Sequence, residues 1–116
     1  GALPGDLPQL QGPAVNAPQM LARCRAMEDT LAPLGLTVAR LSLDRRRSWR
    51  ALLDNGVQLA LGKERPLQRV ARFARYYQRV AAGREQDVEV FDLRYANGFV
   101  VRWRTDGAPV PGGFPS

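Results

Sequence analysis

Arginine is the one chemically capable side chain this sequence supplies in quantity. Of 17 basic residues only Lys63 is a lysine, and with 11 acidic residues the net charge is +6. A guanidinium is permanently charged and presents a planar fork of donors, so it suits pairing with carboxylates or phosphates rather than proton transfer. Histidine is absent and Cys24 is the only cysteine. That removes imidazole catalysis, Cys-His pairs, histidine-containing metal sites and intrachain disulfides together. The carboxylates are scattered, and the adjacent Glu28 and Asp29 point apart on a helix, so no pair is aimed at a shared proton. Gly62-Lys63 lacks the earlier glycine and the following Ser or Thr of a phosphate loop. The expectation is a protein that is not an enzyme and takes no cofactor or metal.

The arginines gather in two places. Arg45-Arg46-Arg47 stands just before Trp49, and Arg65, Arg69, Arg72, Arg75 and Arg79 recur through a stretch with helical spacing. The first group reads as a solvated face or as a surface for an acidic protein segment. Nucleic acid is the competing partner, but exposed stacking aromatics and glycine-rich basic loops do not accompany the arginines. A small basic RNA-binding module is therefore the alternative function, recognisable by a steep salt dependence of binding to mixed RNA. The helix arginines are expected to form a solvated face.

A chain of 116 residues is one domain, able to bury roughly two thirds of its unfolded surface. Residues 1–18 carry Pro4, Pro8, Pro13 and Pro18 and read as an extended opening segment, with an edge strand around residues 7–10. Asn16 is placed to cap a helix whose stripe is Met20, Leu21, Cys24, Met27 and Leu31, with Pro33 and Gly35 ending it. Cys24 reads as a small core residue. A strand follows over residues 36–43. Next comes a hairpin about Asp54-Asn55-Gly56, which sets Leu53 against Val57, Ala51 against Leu59 and Trp49 against Leu61. A second helix starts near Pro66 on Leu67, Val70, Phe73, Ala74, Tyr77 and Val80, and is long enough to carry a parallel crossover into the next strand.

A last hairpin spans residues 88–104 and turns at Ala96-Asn97-Gly98. A three-residue loop with Gly98 left-handed would set Tyr95 against Phe99, Leu93 against Val101 and Phe91 against Trp103, with Asp92 meeting Arg102 on the other face. The fold class is α+β: a mixed, largely antiparallel sheet with two helices on one face, two x-Asn-Gly hairpins and an exposed C-terminal edge strand. Residues 1–104 form the domain. Residues 105–116, with Pro109, Pro111 and Pro115, form a flexible tail that cannot extend the last strand far. Such an edge offers unpaired N–H and C=O groups to an incoming strand.

A family resemblance rests on motifs in order along nearly the whole chain: Leu7-Pro8-Gln9-Leu10-Gln11-Gly12-Pro13, Leu31-Ala32-Pro33-Leu34-Gly35-Leu36, Arg46-Arg47-Ser48-Trp49, Asp54-Asn55-Gly56, Leu61-Gly62, Arg69-Val70-Ala71-Arg72-Phe73, and Asp92-Leu93-Arg94-Tyr95-Ala96-Asn97-Gly98-Phe99-Val100-Val101-Arg102-Trp103. Together they resemble the C-terminal β domain of the FtsQ/DivIB family of bacterial cell-division proteins. The resemblance implies a non-enzymatic scaffold of the division septum, on the periplasmic side of the inner membrane. It implies binding of FtsB, of the FtsB-FtsL pair, by strand addition to the last strand, with an indirect link to FtsW and FtsI. Carried over by motif, Arg94 and Tyr95 match the family's partner-contacting Arg-Tyr, Gly98 its glycine, Trp103 its strand-ending Trp and Arg46 the first arginine of Arg-Arg-Ser-Trp. Asn97, Phe99, Val100 and Val101 complete the docking loop and strand. Asn97 and Phe99 stand where some members carry smaller residues.

No apolar run reaches the roughly 18 to 20 residues needed to span a bilayer, and the start Gly1-Ala2-Leu3-Pro4 has no initiator Met. A soluble fragment is expected. The resemblance adds a transmembrane helix, a membrane-proximal POTRA domain and a cytoplasmic tail to the parent protein.

Overall fold

Trp49, Ala51 and Leu53 are buried while Arg50 and Leu52 are less so, the alternation of a strand with one covered face. The computed structural model describes residues 8–96 and 98–104. It places six strands in one sheet in the order of the chain: β1 (Gln9–Gln11), β2 (Val38–Leu43), β3 (Trp49–Leu53), β4 (Gln58–Gly62), β5 (Val88–Asp92) and β6 (Val100–Trp103). Helices α1 (Ala17–Leu31) and α2 (Pro66–Val80) bridge the two parallel pairs, β1 with β2 and β4 with β5, as parallel connections require. The other three pairings are antiparallel. The architecture is the expected α+β sheet with two helices. The edge strand expected around residues 7–10 is β1 at Gln9–Gln11, while its parallel pairing with β2 was not foreseen.

Leu10, Leu41, Ala51, Leu59, Phe91 and Val101 are successive partners across all six strands, and they form the apolar side of the sheet. Met20, Cys24, Met27 and Leu31 come down on it from α1, and Val70, Phe73 and Tyr77 from α2. Phe73 meets Phe91 edge-on at 5.0 Å between ring centroids. Each such buried side chain contributes roughly 1.5 to 3 kcal/mol. Burial, reinforced by the charge of Glu28, pushes the Cys24 thiol up to about 11, the state of a small core residue.

Asn16 precedes α1 but does not cap it. Its Oδ1 accepts from the Arg47 guanidinium at 2.9 Å and its amide donates to Gln19 Oε1 at 2.9 Å, so the expected cap is replaced by a contact with the β2–β3 turn.

The Asp54-Asn55-Gly56 turn closes as three residues. Leu53 N–H reaches Val57 O at 2.9 Å, Gly56 adopts φ +92°, and Ala51 faces Leu59. A bulge then shifts the pairing by one, so Trp49 faces Gly62 and not Leu61.

The last hairpin departs further. Phe91 faces Val101, Asp92 faces Val100 and Val88 faces Trp103, a register two residues away from the expected one and shifted again by a bulge near Glu89. The pairs Leu93 with Val101, Phe91 with Trp103 and Asp92 with Arg102 do not form. A slip of two preserves the faces, so the apolar side stays apolar. The cause is Leu93, which is fully buried and whose N–H goes to Ala60 O of β4 at 2.8 Å, so the chain continues along β4 before turning. Residues 93–99 thus connect β5 to β6 in place of a three-residue loop. Asn97 lies outside the described residues. So does the left-handed conformation expected at Gly98, whose φ turns on the Asn97 carbonyl carbon.

Candidate functional site

β6 is the outermost strand, paired with β5 on one side and with nothing on the other among the described residues. The opposite margin, β1, is three residues long with two glutamines. β6 carries Val100, Val101 and Trp103, and Val100 is one of the few large apolar side chains left exposed. Val101 and Trp103 turn partly into the core, whereas Val100 and Arg102 point to the face without helices. The Arg84 guanidinium covers the Trp103 ring at 4.2 Å. Phe99, just ahead of the strand, packs on Phe91 at 4.8 Å and Tyr76 at 5.6 Å. Tyr95 is exposed. The side chains anchor the edge while its outward backbone groups meet no strand among the described residues.

The connection leading into this edge is held by α2. Arg72 donates to three carbonyls in it: Tyr95 O at 2.9 Å, Ala96 O at 2.9 Å and Gly98 O at 3.0 Å. Arg69 donates to Leu93 O. The solvated arginine face expected on this helix is therefore only partly one, since Arg69 and Arg72 are half-buried clamps and Arg75 and Arg79 remain exposed. Sequence reasoning missed Arg72. Its spacing put it on the flank of the apolar stripe beside Phe73, a position from which a long side chain can reach past the sheet end. What it reaches depends on tertiary structure alone.

Arg94 binds Asp92 in a two-pronged pair, Nε to Oδ1 at 2.9 Å and the terminal nitrogen to Oδ2 at 2.7 Å, with its own N–H adding a third bond to Oδ1 at 3.2 Å. The Arg94 hydrogen bonds hold the Asp92 carboxyl below its usual range against the opposing effect of burial, and Arg50 adds to the lowering. Arg50, Ala60 and Asp92 lie in one row across β3, β4 and β5 on the face without helices. With 55% of its side chain exposed, Arg94 remains open to a further acceptor.

Arg46 sits apart on the β2–β3 turn. Asp44 Oδ1 accepts its N–H at 2.9 Å, and its side chain is exposed. The turn shares a sheet end with Arg94, because Trp49 opposes Gly62 and Gly62 lies against Arg94. Two to three strand spacings, roughly 10 to 15 Å, separate them. The structure thus brings Arg94, Tyr95, Gly98, Phe99, Val100, Val101 and Trp103 to one margin and leaves Arg46 on the same rim at a distance. Among the described residues no group of three His, Cys, Asp or Glu is gathered to hold a metal, and no helix is long and apolar enough to cross a membrane.

Comparison with known proteins adds three findings. The family model for the C-terminal domain of the cell-division protein FtsQ/DivIB matches residues 1–94. The cell division protein FtsQ of Vibrio cholerae is 41% identical over 99 residues, covering 85% of this chain and 38% of that protein. The FtsQ proteins of Allochromatium vinosum and Coxiella burnetii are 42% and 33% identical over 104 and 102 residues, covering 89% and 88% of this chain and 41% and 42% of theirs. The chain spans about two fifths of the length of these relatives.

Proposed function

The chain belongs to the FtsQ/DivIB family of bacterial cell-division proteins, and from that premise we propose that it is a docking module of the division machinery, with β6 as the strand to which a partner adds. The partner is FtsB, acting within the FtsB-FtsL pair, and through it the domain is linked to FtsW and FtsI. The domain works as a scaffold, not as an enzyme. It stands on the periplasmic side of the inner membrane at the septum, tethered by a transmembrane helix of the longer protein.

One observation carries this reading: β6 is an edge strand paired on a single side, with an exposed Val100 and a preceding connection fixed by Arg72. A fixed edge lowers the ordering cost of strand addition, because only the incoming segment loses conformational freedom. Arg94, open at its outer side, and Arg46 on the same rim then meet acidic residues of the partner.

Titration calorimetry with the periplasmic segment of FtsB tests the reading. Val100→Pro deletes a donor or distorts the edge, and is expected to weaken binding about tenfold or more, whereas Val100→Ala changes it by about twofold or less. Circular dichroism must first show both variants folded. A folded Val100→Pro protein that binds with unchanged affinity would rule out strand addition at β6.

A further inference from the structure

On the helix side of the same sheet end lies a cleft of about 530 Å³ lined by Asn16, Gln19, Arg23, Leu43, Arg47, Trp49, Lys63, Arg65 and Pro66. Four of these are cations and none is acidic. They come from four parts of the chain: α1, the β2–β3 turn, the end of β4 and the start of α2. The first residues of both helices line it, and neither helix has a side-chain cap or an acidic residue in its first turn. Pro18 and Pro66 carry no N–H and the Ala17 N–H is bonded to Ala14 O, so what the two helix starts offer an anion is the dipole and the N–H groups beyond the prolines.

Two further features belong to this cleft. Arg23 lies over the Trp49 ring at 5.5 Å, and its Nε is buried without a hydrogen-bond partner among the described residues. Arg47 and Arg65 adopt φ +67° and +53°, the only non-glycine residues with positive φ among those described. Such backbone is uncommon outside glycine and gathers at sites with a task. The nearest acid in sequence to Arg47, Asp44, is occupied at Oδ1 by the N–H groups of Arg46 and Ser48 at 2.9 Å each.

We propose that this cleft is a binding site for a phosphate or diphosphate group carried on a larger molecule. One carboxylate would leave most of the four positive charges uncompensated, whereas a diphosphate ester, with about two to three negative charges, offsets most of them and presents acceptors in several directions to the guanidinium forks. The volume exceeds that of a bare phosphate several-fold, which leaves room for the carrier against Leu43 and Trp49. The site is independent of the β6 edge, so its fate and that of strand addition are separable.

Amide NMR titration of the 116-residue chain with inorganic phosphate and with pyrophosphate, at constant ionic strength, provides the test. Saturable shifts are expected first at Asn16, Ala17, Gln19, Arg65, Leu67 and Gln68, with pyrophosphate the tighter. The pair Arg47→Gln and Lys63→Gln should weaken pyrophosphate about tenfold or more, and Arg75→Gln with Arg79→Gln, which removes the same charge from the solvated side of α2, by about twofold or less. Lys63 is exposed, so Lys63→Gln alone repeats the test should the pair disturb the turn. Shifts that never saturate, or an equal loss in both charge-matched pairs, would mean an adventitious ion only and overturn the site. Co-sedimentation with phosphatidylglycerol vesicles against phosphatidylcholine vesicles identifies the carrier. Retention that pyrophosphate competes away and Lys63→Gln weakens places the phosphate on a lipid headgroup; pyrophosphate binding without retention places it on a soluble molecule.

Discussion

The turn at Asp54-Asn55-Gly56 closes on itself, whereas the connection from β5 to β6 is closed by a helix. In the first, Gly56 supplies the left-handed residue, Asn55 Oδ1 accepts the Val57 N–H at 3.1 Å, and the strands pair from Leu53 and Val57 outward. Its one tie to α2 is the Asn55 amide on the Tyr77 hydroxyl at 3.1 Å. In the second, the strands do not pair until Asp92 and Val100, and Arg69 and Arg72 supply the bonds that a tight turn would have made internally. A short x-Asn-Gly signature sets a turn where the flanking residues leave the chain free to reverse. Leu93, drawn into the core, removes that freedom. The local turn is held mainly by its own residues, and the connection before β6 is held by a helix.

The contrast is broken most sharply at Gly56. A Cβ there would stand 2.9 Å from the Arg104 guanidinium in a conformation side chains avoid, so Gly56→Val is expected to cost about 2 to 3 kcal/mol in urea unfolding. A loss under about 0.5 kcal/mol would mean that the first turn is not self-closing. Next comes Arg72→Ala, which removes three hydrogen bonds at a partly exposed site and should lower stability by about 1 to 2 kcal/mol. If the clamp presents the edge, affinity for FtsB falls with it even where the domain stays folded. Arg75→Ala, one turn along and exposed, should change stability by under about 0.5 kcal/mol. Similar values for the two arginines would erase the distinction between clamp and solvated face.

The smallest effect is acid dependence at the end of β5. The folded pKa of Asp92 is depressed, so its contribution is fully present above the unfolded value near about 3.9 and is lost as pH falls through the lower folded value. Asp92→Asn should therefore differ from the parent at about pH 7 and converge towards it as pH falls below the usual carboxylate range, followed by urea unfolding at each pH. A gap that persists at low pH would show that the pair with Arg94 does not act through charge.

Much of this fold was legible in the sequence because its signals are local. The apolar stripes of α1 and α2, the start of α2 at Pro66 and the pairing of Ala51 with Leu59 all follow from spacing and turn residues. The placement of β6 at a margin was legible for a different reason: Pro109, Pro111 and Pro115 are poor ladder partners, so the strand before them is a natural candidate for an edge. What escaped depends on groups distant in sequence. Neither the shifts at Trp49 and Val88, nor the Arg72 clamp, nor the cleft assembled from Asn16, Arg47, Lys63 and Arg65 leaves a periodicity to read. The Arg94–Asp92 pair also runs against strand expectation. Side chains two apart on one face meet here because the strand ends at Asp92 and Arg94 folds back.

The strands lie in the sheet in the order in which they occur in the chain. Each strand pairs with its neighbours in sequence, and the lead-in to β6 is in addition held from α2 by Arg72 bonds that span 23 to 26 residues. An incomplete domain therefore has no finished edge to offer. The edge at β6 is conditional on α2: where that helix is not formed, the Arg72 bonds to Tyr95, Ala96 and Gly98 cannot form.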